Sequence, residues 1–458
     1  MAYGNAARAG AALASLTLAL VAACSSPEES SGPVTSPPSQ SDAAAAAAPT
    51  DSAVAVNDTA AAEAPESPSA SAQLLIDRWH AAVSASTGVW PGYELAAIPA
   101  VLVSIDRAGA VSAVVAFNHP NPVPLGSPIL RLDVGGHEVA VIAEPTDPDA
   151  LFAMAPFDFY ADIGGTATFV LIGQQGDLGT EPDSPAFSAL LAHETFHRFQ
   201  FDNWSEDAAV HSLEGYDLSP AGIELVLLED RILISAYEAA SAAEAERLAR
   251  QFTAVRAARH AASPSVGLDE QQERIEGSAR YLEHLIGDAL DGTYTSTNHA
   301  GELMFYDDMD ADAAAQLDGI TSFFGFGRFY SSGATLLSLA HRLGAPIDDI
   351  ASRLSDSTTP AQMLEQLVEP VGEIGDEVDA AWAEHDSEGR LRAVAAILAE
   401  RALQEDSSGF GTETPMGSFD VSDEQIDCLT EHGIDITADN FTIPDDIAQA
   451  CFNDDRGE

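Results

Sequence analysis

The spacing of apolar residues changes once along this chain, and that change limits the folds it can adopt. The first part has short runs rich in Val and Ile that are typical of strands, and Gly-containing turns at 106–109 and 135–136 join them into two hairpins. From residue 185 onward, apolar residues recur every three to four positions, as in amphipathic helices. Strands are predicted at 100–105, 111–117, 130–134, 138–143 and 166–172. Helices are predicted at 72–85, 185–202, 222–261, 269–290, 321–343, 360–368 and 376–403. A β-rich part followed by a mostly helical part indicates an α+β fold rather than alternating α/β units.

The charge of the chain excludes one large class of partners. Its 458 residues include 73 acidic and 19 basic side chains, for a net charge of -54. A surface this acidic repels phosphate backbones, so we expect no nucleic-acid binding. Salt-rich surroundings or a solubility requirement would select the same charge without any special partner. Hydrophobic residues still make up 46% of the chain, which is enough to bury a sizeable core.

The N-terminal segment predicts export. Residues 1–23 carry Arg8 and then an apolar stretch from 11 to 23, which is shorter than the roughly 20 apolar residues of a membrane span and is typical of a secretory signal. The small residues before Cys24 resemble the lipobox of bacterial lipoproteins. That resemblance implies cleavage before Cys24, acylation of its thiol and a lipid anchor on the outer face of the cell membrane. An ordinary signal peptide with an incidental cysteine is the alternative.

Two further segments flank the central domain, which we assign to 71–404. Residues 24–70 are rich in Ser, Pro and Ala and cannot bury enough surface to fold, so we expect a disordered tether. Residues 405–458 form an acidic C-terminal module. Because the chain has three cysteines and Cys24 is expected to carry lipid, Cys428 and Cys451 are left to form one disulfide in an exported protein. A zinc site there is disfavoured, since His432 is the single nearby ligand candidate.

A His-Glu-x-x-His signature is formed by His193, Glu194 and His197. On a helix, residues four apart lie on one face, so both imidazoles can reach the same metal ion. Glu194 projects beside that ion, where its carboxylate can accept a proton from water. Zinc binds neutral imidazole nitrogens and keeps a fourth position open in catalytic sites. The signature therefore predicts a catalytic zinc site, although a helix with two satisfied histidines and a surface glutamate would give the same pattern.

The residues around this signature resemble those of zincin metallopeptidases, which place a strand edge beside the motif helix to hold an extended peptide. The metzincin extension is excluded, because Gln200 and Asn203 stand where that class needs Gly and His. Segment 276–281 resembles the Glu-Gly-x-Ala-x-Tyr pattern of gluzincin peptidases, including the peptidase-MA-like group. The resemblance implies that Glu276 is the third metal ligand. We expect the small residues 277–279 to let its helix approach the motif helix, and Asp269 to be the N-cap of that helix.

Alternatives for the third ligand remain open at the level of sequence. Glu273, Glu214 and His211 are the fallback candidates. Glutamates at 273, 276 and 283 could instead form a solvated face of an acidic helix. The thermolysin branch carries an Asp four residues after its ligand Glu to orient a ligand His, and Arg280 stands at that position here. Either another acid orients the histidine or the chain belongs to a different branch.

A second resemblance concerns the stabilisation of negative charge during catalysis. Segment 330–333 is similar to the Tyr-x-x-Gly segment of peptidase-MA-like chains, which implies that Tyr330 donates a hydrogen bond to the oxyanion. Tyr281 and His284 are competing donors, and an aromatic residue followed by small ones is also typical of helix packing. The sequence thus predicts a membrane-anchored, extracytoplasmic zinc metallopeptidase that acts on peptides or proteins with Glu194 as general base. The alternatives are a lipoprotein that binds peptide or metal without turnover, and a structural envelope protein.

Overall fold

The computed structural model of the chain describes residues 66–407, with gaps at 108–109, 146–159, 176–180, 183, 205–215, 264–265, 291–299, 301–302, 305, 307–308, 318 and 370–371. Several predictions lie outside the described residues: lipidation at Cys24, the tether, the Cys428–Cys451 disulfide, and the fallback ligands His211 and Glu214. The described residues belong almost entirely to the first of two compact units, Met1–Glu405 and Asp406–Glu458. In the described part of the chain, no helix has the length and apolarity needed to cross a membrane.

One six-stranded sheet forms the N-terminal part. Its strands are β1 Ala100–Ile105, β2 Val111–Phe117, β3 Ile129–Val134, β4 His137–Ile142, β5 Tyr160–Ile163 and β6 Thr166–Gln174. They lie in the order β3-β4-β2-β1-β6-β5, and all neighbours are antiparallel except β1 and β6. Both predicted hairpins, β1–β2 and β3–β4, are confirmed by their pairing.

Strand β5 is an addition to the predicted strands. Its four residues are too few and too polar to give a two-residue pattern, but Gly164 and Gly165 follow it with positive φ and turn the chain directly into β6. Because β5 covers β6 along residues 166–169, the outer strand on this side of the sheet is β5 and not the predicted strand 166–172.

The rest of the described chain is mostly helical, which confirms the α+β class. The helices are α1 Ala70–Ser86, α2 Pro185–Asn203, α3 Pro220–Glu238, α4 Ala242–Ala262, α5 Val266–Ala289, α6 Arg328–Arg342, α7 Ile347–Ser355, α8 Pro360–Leu367, α9 Ile374–His385 and α10 Arg390–Ser407. Short helical turns also occur at Ala311–Ala314 and Ile320–Ser322, and a π-helical turn at Phe323–Gly327 leads into α6. Segments 222–261 and 376–403 are each two helices, and Ser241 provides the N-cap that separates α3 from α4. Helix α7 was not predicted.

Both faces of the central strand β1 are buried. The side chains of Ala100 and Leu102 on β1 join α1, α2, α5 and α6 in the largest core, while Val101 and Val103 join a smaller cluster on the opposite face. A strand that is buried on both faces reads as a continuous apolar run, as β1 does. Helix α2 begins with Ser184, whose hydroxyl accepts from the amide of Ala186, followed by Pro185 in the first turn. This start fixes the position of the motif helix against the core.

The prediction for Asp269 on helix α5 was wrong, and the prediction that small residues face the motif helix holds for Ser278 but not for Gly277. The helix begins at Val266, so Asp269 lies in its first turn instead of capping it, and its carboxylate pairs with Arg259. Gly277 does not face the motif helix. A methyl group at Gly277 would lie 2.5 Å from the Cα of Gly333, so this glycine permits the close crossing of α5 and α6. Ser278 is the small residue that faces α2, because its hydroxyl accepts a hydrogen bond from Gln200.

We predict that Gly277→Ala lowers the free energy of unfolding by about 1–3 kcal/mol, because the added methyl group must push two helix backbones apart. Gly267→Ala is the matched control on the same helix, since nothing lies within 4 Å of a methyl group there. The control should leave stability unchanged or raise it by up to about 1 kcal/mol. Urea unfolding of both variants measures the difference, and equal midpoints would contradict the close crossing.

Candidate metal centre

Three side chains from helices α2 and α5 converge in the protein interior. Among the described residues, one group of His, Cys, Asp or Glu side chains could hold a metal ion, and it consists of His193, His197 and Glu276. We call these three residues the metal group. Their ligand atoms all lie within 4.8 Å of one another. Glu276 Oε2 is 3.3 Å from His197 Nε2 and 3.9 Å from His193 Nε2. All three residues are buried, so the glutamate of α5 does not belong to a solvated acidic face.

The atoms at the centre of this group are those expected of a metal site. His193 Nε2 and Glu194 Oε1 are buried and have no hydrogen-bond partner among the described residues. Buried polar atoms are ordinarily hydrogen-bonded, and an exception calls for a ligand, an ion or water. A divalent cation between the two imidazoles and the Glu276 carboxylate would satisfy His193 Nε2.

Glu283 fixes the orientation of His193. Its Oε2 lies 3.1 Å from His193 Nδ1, and Arg280 Nη1 donates to both of its carboxylate oxygens at 2.8 Å. Burial alone would raise the pKa of Glu283, but Arg280 and the hydrogen bond from His193 outweigh it and hold the pKa well below its usual range. The ionised carboxylate accepts, so Nδ1 carries the proton and Nε2 presents its lone pair.

The acid that orients the ligand histidine is therefore present, but it sits seven residues after Glu276 rather than four. Two helical turns bring residue 283 back to the face of residue 276, so helical periodicity could have identified it. The alternative that Glu283 belongs to a solvated face is wrong, because its side chain is buried. Arg280, which occupies the position four residues after Glu276, holds this acid in place.

Gln200 orients the second histidine and ties the motif helix to α5. Its Nε2 donates to the carbonyl oxygen of Ile275 and to Ser278 Oγ, both at 2.9 Å. Because the amide nitrogen is used in this way, Oε1 is left to accept from His197 Nδ1 at 2.7 Å. His197 thus also presents Nε2 to the centre. The sequence identified Gln200 only as a departure from the metzincin pattern. Its role in orienting His197 was not predicted.

Glu194 lies beside this group on the motif helix and is buried. Burial raises the pKa of its carboxyl, while His193 and His197 oppose that rise. Apolar surroundings make a carboxylate a stronger proton acceptor than it is in water. A carboxyl with a raised pKa next to a candidate metal site has the properties of a general base.

The candidate oxyanion donors and the fallback ligand on α5 lie in different surroundings. The Tyr330 ring stacks against the His193 ring, with centroids 5.7 Å apart and planes inclined by 16°. Tyr281 packs within the largest core, and His284 is buried next to Glu283. Glu273, the fallback ligand on α5, pairs with Arg256 instead of joining the centre. Of the candidate donors, Tyr330 has a direct contact with a residue of the metal group.

Strand β5 lies near the motif helix. The guanidinium carbon of Arg198 is 5.6 Å from the centroid of the Tyr160 ring at the start of β5. Burial raises the pKa of Tyr160, and the negative charges of Asp202 and Glu194 raise it further, whereas Arg198 opposes them. The outer strand and the helix that carries Glu194 therefore border the same region.

A buried charge cluster next to the centre could not be foreseen from sequence. We call it the ion cluster, and its members are Glu229, Asp230, Arg256, Arg259, Asp269, Glu273 and Arg328. Burial alone would raise the pKa of Glu229, but three neighbouring arginines outweigh it and lower the pKa to about 2. Leaving one member of a buried ion pair without its partner costs about 3–5 kcal/mol. The cluster therefore holds helices α3, α4, α5 and α6 in one relative arrangement.

Comparison of this chain with protein-family models, curated proteins and solved structures finds no match.

We predict that Glu283→Gln weakens zinc binding about 10- to 100-fold, because the neutral amide no longer fixes the His193 ring through a charged acceptor. Glu270→Gln is the matched control, since Glu270 is a buried carboxylate on the same helix that accepts from Thr359 Oγ1 and not from a histidine. Competition against a fluorescent zinc chelator gives both affinities. A Glu283→Gln protein that binds zinc as tightly as the control would refute the orienting role.

Proposed function

We propose that this chain is a zinc metallohydrolase of the gluzincin type, and that its substrates are peptides or proteins. The observation that carries the proposal is the convergence of two Nε2 atoms and one carboxylate oxygen beside a buried Glu194. The α+β architecture and the strand next to the motif helix are compatible with a zincin-like domain.

The donor set favours zinc over other divalent ions. Two neutral imidazole nitrogens and one carboxylate match the His₂Glu ligand set of catalytic zinc sites, whereas calcium and magnesium prefer oxygen ligands. Ligands of a tetrahedral zinc ion lie roughly 3.3 Å apart when each bond is about 2.0–2.1 Å long. The distance between Glu276 Oε2 and His197 Nε2 is 3.3 Å. When bound, zinc would lower the pKa of its water and polarise a carbonyl group.

Each residue of the site has a role in this proposal. His193, His197 and Glu276 hold the metal, and Glu283 and Gln200 keep the two imidazoles turned toward it. Glu194 takes a proton from the attacking water and passes it to the leaving amine. The raised pKa of its carboxyl supports this role, because a more basic carboxylate accepts a proton more readily.

Tyr330 is our candidate for the group that donates a hydrogen bond to the oxyanion. Its ring lies against the His193 ring, which brings the residue to the edge of the metal group. A preorganised donor of this kind contributes about 10²–10³ in kcat in other hydrolases. Tyr330→Phe removes the hydroxyl and keeps the ring contact, so it separates this role from simple packing.

We also propose that the enzyme is exported and held on the outer face of the cell membrane by lipid at Cys24. The cysteine that follows an apolar segment and small residues supports this proposal, as does the Ser- and Pro-rich stretch after it. Membrane anchoring would keep the catalytic domain near the cell surface while the tether gives it reach.

We predict that Glu194→Gln keeps stoichiometric zinc and lowers kcat by about 10²–10⁴, because the amide cannot accept the proton from water. Zinc content and cleavage of a fluorescently labelled unfolded protein are measured on the same sample, with Glu270→Gln as the control that should behave as wild type. Wild-type turnover by Glu194→Gln would refute the mechanism. A wild-type protein that binds zinc but cleaves none of a broad peptide library would favour a binding protein on the same scaffold.

We predict that Cys24→Ser moves the protein from the membrane fraction to the soluble fraction of an expressing bacterium, because the acylated thiol is lost. Detergent partitioning and metabolic labelling with a palmitate analogue check this outcome. Cys428→Ser is the matched control, because it also removes one of the chain's three cysteines but should leave the label in place. Unchanged partitioning of Cys24→Ser would contradict the lipid anchor.

A further inference from the structure

Ser332 connects the two helices that bring Glu276 and Tyr330 to the metal group. It lies two residues after Tyr330 on α6, and its hydroxyl donates to Glu273 Oε1 at 2.8 Å. Glu273 lies three residues before Glu276 on α5, which is about one helical turn. The hydrogen bond therefore joins the two helices within one turn of both functional groups. It is fully buried, so water does not compete for it.

A close contact between two glycines brings these helices together. A methyl group at Gly333 would lie 2.7 Å from Gly277 Cα and 2.5 Å from the carbonyl oxygen of Glu273. A hydrogen bond is directional and weakens steeply when its geometry is lost. The bond from Ser332 to Glu273 therefore adds a directional contact, next to Tyr330, to those by which the ion cluster holds α5 and α6.

Glu273 can serve as a fixed reference point because it is held independently. Arg256 Nη1 and Nη2 donate to its two carboxylate oxygens at 3.0 and 2.9 Å. This bidentate pair sets the carboxylate plane. Loss of the Ser332 hydroxyl would leave Glu273 paired with Arg256, so the hydroxyl is not needed to neutralise a buried charge.

Helix α6 is anchored on the other side of Tyr330 as well. Arg328, two residues before Tyr330, donates to the Asp230 carboxylate of α3 through Nε and Nη2. Tyr330 therefore lies between an anchor to α3 and an anchor to α5. Arg328 is a poor probe of this arrangement, because its removal would leave buried carboxylates unpaired. Ser332 can be changed with much less damage.

We infer that Ser332 is a positioning residue that sets the place of Tyr330 relative to the metal group through its hydrogen bond to Glu273. This inference rests on the proposed function, since it assigns Ser332 an effect only through a Tyr330 that contacts the bound ligand. Loss of the Ser332 hydroxyl should therefore lower the affinity for a metal-binding ligand when the Tyr330 hydroxyl is present. It should change that affinity little when the Tyr330 hydroxyl is absent.

A double-mutant cycle with a metal-binding probe tests the inference without any knowledge of the substrate. The affinity of acetohydroxamate for the zinc-loaded full chain is measured by calorimetry for wild type, Ser332→Ala, Tyr330→Phe and the double variant. We expect Ser332→Ala to weaken acetohydroxamate binding about tenfold when Tyr330 is intact, and less than about twofold in the Tyr330→Phe background. Thr335→Val is the control, because Thr335 is a buried hydroxyl on the same helix that donates to its own helix at the carbonyl oxygen of Ser331. It should bind as wild type does.

The outcomes separate this inference from the proposal beneath it. Equal losses for Ser332→Ala in both backgrounds, or no loss in either, would overturn the positioning role. An unchanged affinity in Tyr330→Phe would overturn it too, while zinc binding by wild type would still support the metal site. Absence of stoichiometric zinc in wild type would instead refute the proposed function. If Ser332→Ala folds poorly by circular dichroism, the same cycle is run with Ser332→Cys, whose thiol is a weaker donor. We expect a loss of about threefold in the wild-type background that disappears in the Tyr330→Phe background, and an equal loss in both backgrounds, or none, would overturn the inference.

Discussion

The hydrogen bonds at the two Nδ1 atoms are the constraint on which the candidate centre depends. A neutral imidazole has one protonated nitrogen and one lone pair, and the partner of the first decides where the second points. Glu283 and Gln200 occupy the Nδ1 atoms of His193 and His197, so both Nε2 lone pairs face the Glu276 carboxylate. Both partners are themselves held, Glu283 by Arg280 and Gln200 by the backbone of α5. The residues around the metal group therefore determine how its two imidazoles are oriented.

The same helices combine close packing with buried charge. The crossing at Gly277 and Gly333 brings α5 and α6 within backbone contact, and the ion cluster next to it holds both helices to α3 and α4. Burying so many charges costs desolvation energy, and an apolar core of the same volume would often be as stable. Directional pairs have the advantage that they admit few alternative registers. In this chain, the directional pairs restrict the helices that carry Glu276 and Tyr330.

Local signals in the sequence predicted much of the fold. Turn glycines and runs rich in Val and Ile located both hairpins, and apolar spacing located the motif helix and α5 to within a few residues. The His-Glu-x-x-His spacing placed two ligand candidates on one face because four residues make about one helical turn. Glu276 came from a resemblance and not from spacing, and it lies with the two histidines.

The rest could not be read from local patterns because it depends on tertiary partners. The role of Gly277 depends on Gly333, which lies on helix α6. The sequence predicted that Gly277 packs against the motif helix instead. Glu283 and Gln200 have ordinary polar side chains until the histidines that they orient are known. Strand β5 is too short to have a period, and the ion cluster joins residues from four helices. Such features require the positions of at least two elements at once.

The account's central claim is that two imidazoles and one carboxylate share a zinc ion. X-ray absorption at the zinc edge of the loaded full chain tests it most directly. We predict one tightly bound zinc per chain, two imidazole ligands with Zn–N distances of about 2.0–2.1 Å, and a remaining first shell of oxygen atoms. A zinc ion bound weakly, or one whose first shell contains fewer than two imidazoles, would contradict the account.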